Sequence, residues 1–114
     1  MSKGTIVLIP FPFTDLSGHK VRPALVLYNP NGGEDCIVAF ISSIKQKKIG
    51  KYDVSLKPSK LNGIKVDSTI KVSKIATLQK KIVIGEIGDL EPNKLDEVNM
   101  VLRSLLNIKR KPKV

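Results

Sequence analysis

A chain of 114 residues has room for one hydrophobic core, and its single cysteine excludes both an intrachain disulfide framework and a zinc site built from cysteines. The composition, 41% apolar and 26% charged, is that of a globular domain, and no stretch approaches the roughly 20 apolar residues of a membrane-spanning helix. Twenty Lys and Arg against ten Asp and Glu leave a net charge of +10. Residues 1–85 hold 14 of the basic and 5 of the acidic side chains, so the positive field belongs to the body of the protein and not only to the tail at 109–114. A compact basic body suits a polyanionic partner, nucleic acid first; the alternative is a lysine-rich solvated surface.

The first predicted strand is Thr5–Phe11, apolar at nearly every position and therefore covered on both faces or part of a closed barrel. Pro10 and Pro12 end its regular pairing. The run through Phe13 is too short for a signal peptide and leads into Thr14 and Asp15 rather than a cleavage site, which implies a cytoplasmic protein. A loop at 14–21 carries turn chemistry in Asp15, Ser17 and Gly18. Strands follow at 23–28 and 36–42, separated by the Asn29-Pro30-Asn31-Gly32-Gly33 turn. Cys36, in an apolar run, reads as a small buried thiol rather than a nucleophile. A basic loop covers 43–51, a short alternating strand 52–56, and a second loop 57–62 is closed by Gly63. Two more β segments are expected at 68–72 and 81–87, flanking the stretch 73–78. The chain finishes with a helix over 92–106, with Pro92 at its first position and Glu91 a poor cap. Leu95, Val98, Leu102 and Leu105 form its apolar stripe, widened by Val101 and Leu106, which packs across one end of the barrel. The expected fold is mainly β with one α-helix, five to six short strands forming a small, partly open barrel over residues 1–108.

The chemistry starts from elimination. There is no Gly-rich phosphate loop and no strained Gly-x-Ser-x-Gly turn, and His19 is the only histidine. A catalytic zinc normally needs three protein ligands, so neither a metal nor another cofactor is expected. What remains is Arg, His, Ser, Thr and Lys near loop ends, the groups that bind a phosphodiester and stabilise charge growing on it.

The segment from Gly4 to Gly18, running into Val21-Arg22-Pro23-Ala24-Leu25-Val26, resembles the MazF/PemK family of toxins from type II toxin–antitoxin systems. The blocks at 37–42, 67–78 and 87–90 extend the resemblance over nearly the whole chain, in the family's order. It implies an SH3-like barrel that dimerises, cleaves single-stranded RNA such as mRNA at short sequence motifs to arrest translation and growth, and is blocked by a cognate antitoxin. The family's arginine falls on Arg22. Its catalytic Thr or Ser falls on Ser42, with Ser43 beside it. A glutamate that some members carry before the arginine is replaced by Ser17, which leaves the general base open. His19, which titrates near neutrality when unperturbed, is a candidate acid or base. Ser17, Lys20, Ser43, Lys45, Lys47 and Lys48 are the candidate RNA-binding residues; Lys45, Lys47, Lys48 and Lys51 form a solvated basic edge suited to tracking the RNA backbone without reading sequence. Each has a plainer alternative: Arg22 held extended by Pro23, Ser42 satisfying a strand end, His19 a solvated loop residue. Phe11 and Phe13 are expected to pack rather than stack on bases. Two rival functions fit the same fold, a non-catalytic toxin acting on DNA gyrase and a barrel that binds nucleic acid without cutting it.

Overall fold

The computed structural model describes residues 1–11, 20–43 and 48–109. Among them, six strands form one antiparallel sheet: β1 (Thr5–Phe11), β2 (Lys20–Tyr28), β3 (Asp35–Ser42), β4 (Asp53–Leu56), β5 (Ser68–Gln79) and β6 (Gly85–Asp89), followed by helix α1 (Pro92–Leu105). Their spatial order is β4-β5-β3-β2-β1-β6, a curled half-barrel. β1 owes its unbroken apolar run to a place inside the sheet with both faces covered. Ile6 joins Leu25, Ala39, Ile41, Ile70, Leu90 and Val98 on one face, while Val7 and Ile9 join Ala24, Val26, Cys36 and Val38 on the other. Alternation along each strand sorts neighbouring residues between the two clusters. Cys36 is fully buried, and that burial pushes its thiol pKa up, against Lys80 which lowers it and with Asp35 which raises it. It is a core residue.

The expected break at 73–78 is corrected. β5 runs without interruption from Ser68 to Gln79. The pattern is broken there by a register shift: Ala39 pairs with Ile75 while Phe40 pairs with Lys71. The residues between bulge out of the ladder, so the alternation breaks while the strand continues. The expected strand at 81–87 is also corrected. Lys80–Ile82 form a single 3-10 turn, the Ile84 amide donates to the Leu8 carbonyl at 2.8 Å, and β6 begins only at Gly85. Ile82 and Val83 are thereby laid against the second cluster.

In α1, Val98 is fully buried, and Leu95, Val101 and Leu102 pack on the first cluster. Leu106, expected in the stripe, is 57% exposed. Asn107 takes the left-handed conformation (φ 55°) and ends the helix one residue early. Pro92 occupies the start of α1, and Glu91 makes no side-chain cap. Its carboxylate instead accepts from Ser59 Oγ (2.8 Å) and Asn62 Nδ2 (3.1 Å). Asn62 is fully buried: its Oδ1 accepts from the amides of Ser59 (3.1 Å) and Ile64 (2.9 Å), and its Nδ2 also donates to the Lys57 carbonyl (2.9 Å). This loop closes the outer edge of β6, where the Asp89 amide donates to the Leu61 carbonyl at 2.9 Å. The approach is so close that a Cβ on Gly63 would stand 2.1 Å from the Ile87 carbonyl oxygen. Only glycine fits. Lys109 is exposed, and the rest of the expected tail lies outside the described residues.

Candidate nucleic-acid interface

The second face of the sheet changes character along its length. Its middle is the apolar cluster of Val7, Ala24 and Val38; its end, reached two residues further along β2 and β3, is polar. Ala24 pairs with Phe40, and extending that register by two residues sets Arg22 opposite Ser42. Arg22 itself pairs with Ile9 on β1, and Ser42 with Thr69 on β5. The sheet thus brings together two residues twenty positions apart.

They line a pocket of about 470 Å³ with Phe11, Phe40, Ile41, Lys71 and Lys74. The two phenylalanine rings meet edge to face, with centroids 5.9 Å apart and planes at 78°. Phe11 packs against Phe40 and is 45% exposed at the pocket. Among the described residues no carboxylate forms an ion pair with Arg22, whereas Lys71 is held by Asp53 at 3.1 Å. The pocket therefore presents one planar, permanently charged fork, unpaired with any carboxylate among the described residues, beside an ammonium held by Asp53. A guanidinium matches two phosphate oxygens at once, and a flanking hydroxyl adds a neutral donor.

Of the residues expected in the site, Arg22 and Ser42 line this pocket. Lys20, Ser43 and Lys48 are exposed and outside its lining. Ser17, His19, Lys45, Lys47 and Phe13 lie outside the described residues. Lys51 places its ammonium 5.4 Å from the centre of the Tyr52 ring. Lys71 and Lys74 were not anticipated. A lysine between two core residues, as Lys71 lies between Ile70 and Val72, reads as a solvated strand residue, and only the pairing of Phe40 with Lys71 across β3 and β5 reveals its neighbours. Among the described residues, no three His, Cys, Asp or Glu side chains gather as a metal site, and no helix is long and apolar enough to cross a membrane.

A curled antiparallel sheet, one face closed by a helix and the other ending in a cationic, aromatic-walled pocket, defines a small, mainly β protein with a candidate site for an anionic ligand. Residues 2–106 match the family of PemK-like, MazF-like toxins of type II toxin–antitoxin systems, and the chain belongs to that family. Comparison with curated protein sequences gave no match. Among solved structures, the fold is similar to MazF in a MazE–MazF crystal structure from Deinococcus radiodurans, with 22% identity, a TM-score of 0.75, and coverage of 96% of this chain and 98% of that one. It is also similar to an endoribonuclease in complex with its cognate antitoxin from a mycobacterial species, at 17% identity and a TM-score of 0.74, covering 97% and 99% of the two chains. A third is the Mycobacterium tuberculosis toxin MazF-mt6, with 16% identity, a TM-score of 0.74 and coverage of 93% and 99%.

Proposed function

We propose that this toxin is a sequence-selective endoribonuclease that cleaves single-stranded RNA, mRNA in particular, without a metal ion, and so arrests translation and growth in the cytoplasm until a cognate antitoxin neutralises it. The observation that carries the reading is the pocket in which Arg22 and Ser42 meet beside Lys71 and two aromatic rings. Membership of the toxin family and similarity to chains described as endoribonucleases support it. In this reading the 2′-hydroxyl of RNA attacks the adjacent phosphorus, the bond to the 5′-oxygen breaks, and the products are a 2′,3′-cyclic phosphate and a 5′-hydroxyl. Arg22 grips the non-bridging oxygens and Ser42 donates to the same developing charge. An oriented donor of this kind contributes about 3 kcal/mol to the transition state. His19 takes the 2′-hydroxyl proton or supplies one to the leaving 5′-oxygen. Ser17, Lys20, Ser43, Lys45, Lys47 and Lys48 hold the flanking backbone. The protein acts as a homodimer, and its antitoxin is an acidic, partly disordered segment that folds onto the basic surface.

The test is to incubate the purified protein with RNA of known sequence in EDTA and to map the new ends. Cyclic-phosphate and 5′-hydroxyl termini at recurring short motifs are expected. Intact RNA, dependence on added divalent ion, or 3′-hydroxyl termini would overturn the mechanism.

A further inference from the structure

Lys71 is not an ordinary surface lysine. Its side chain is 16% exposed and its partner Asp53 only 9%, so solvent screens the pair weakly. The two face each other as Cα partners across β4 and β5, and Lys71 has Phe40 as its neighbour on β3, so Asp53, Lys71 and Phe40 form one row leading to the pocket. One carboxylate oxygen, Asp53 Oδ2, accepts from Lys71 Nζ at 3.1 Å and from the Gly50 amide at 2.9 Å. Gly50 is tight against it: a Cβ there would stand 2.8 Å from the same oxygen. The carboxylate is thus pinned from the turn before β4 while it pins the ammonium. An ammonium has three donors, so the bond to Asp53 leaves two for a ligand in the pocket. A lysine without such a partner is a flexible point charge on a four-carbon stem.

We infer that Asp53 is a positioning residue for RNA cleavage, holding Lys71 in place as the second cation against the phosphate that Arg22 grips; this rests on the ribonuclease reading above. Asp53 touches no substrate and acts only through Lys71. Because misplacement of a reacting group by an ångström reduces rate on the order of 100-fold, release of Lys71 affects kcat more than KM.

The experiment is a double-mutant cycle on the full chain, read by cleavage of a transcribed RNA and by binding of a non-cleavable 2′-deoxy oligonucleotide of the same sequence. Asp53→Asn retains an acceptor for Gly50, and thermal melting reports whether each variant is folded. Asp53→Asn is expected to lower kcat about 10-fold or more with KM little changed, and Lys71→Gln to lower it at least as far. Combined, the two lose no more than Lys71→Gln alone, whereas independent sites multiply to within about twofold. Gly50→Ala, which crowds the carboxylate without changing any charge, gives the same kcat defect and covers the case in which Asp53→Asn does not fold. Lys71→Arg restores part of the rate only while Asp53 is present. Wild-type rates in Asp53→Asn, or losses that multiply, would overturn the inference while leaving the ribonuclease reading intact. If the wild-type protein binds the oligonucleotide but cleaves no RNA, the ribonuclease reading fails. The positioning role, which rests on that reading, falls with it.

Discussion

Replacing Asn62 by alanine removes the amide on which the closing loop of the barrel converges. Three backbone groups lose their partner: the amides of Ser59 and Ile64 and the carbonyl of Lys57. Glu91 loses one of its two side-chain donors, leaving Ser59 Oγ. A net hydrogen bond contributes about 1 kcal/mol, and an orphaned group that stays buried costs about 1–3 kcal/mol. Ile64 is 6% exposed, so its amide falls in the second class, while Ser59 and Lys57 regain water in part. The expected destabilisation is about 3–5 kcal/mol, a large share of the roughly 5–15 kcal/mol of a typical domain. In melting temperature this is a fall of about 10–20 °C. Urea unfolding of wild type and Asn62→Ala at equal protein concentration measures it, since association would shift both curves. A loss under about 1 kcal/mol, with an unchanged denaturant slope, would show that water replaces these bonds freely and that the loop does not close the sheet as argued.

Gly63→Ala places a Cβ 2.1 Å from the Ile87 carbonyl oxygen at φ +70°, and should destabilise by at least about 2 kcal/mol in the same assay. Burial works to raise the Glu91 pKa, but hydrogen bonds from Ser59, its own backbone and Asn62, with the Lys94 charge, bring it below the ordinary value. Its contribution to stability is therefore complete above the unfolded pKa of about 4.3 and is lost as pH falls through the lower folded value. Glu91→Gln should flatten stability against pH in that acid range, and an unchanged slope would refute the assignment. Arg22→Ala should reduce RNA cleavage on the order of 100-fold with melting preserved, and Arg22→Lys should recover little of it because the two-point fork is lost. Near-normal cleavage by Arg22→Ala would remove that residue from the chemistry.

Local signals were enough wherever the structure is local or two-sided. The apolar run at Thr5–Phe11 marks a strand covered on both faces, and β1 has those bounds. Pro92 and the stripe at Leu95, Val98 and Leu102 mark α1 and its buried side, because helical spacing fixes which residues share a face. Arg22 and Ser42 were legible as candidates through resemblance, not through any spacing that sets them side by side. Their meeting depends on the register of β2 on β3, a pairing between segments whose relative offset no local pattern states. The same holds for the bulge in β5, which looked like a gap between two strands, and for Lys71, whose neighbours Phe40 and Asp53 come from strands on either side. The chain alone settled the strand-rich composition, the positive charge and the amphipathic helix, since each depends on residue type and short-range periodicity. Which cations enter the pocket, and which carboxylate holds one of them, was decided by cross-strand register, a long-range property that forms only when the whole sheet assembles.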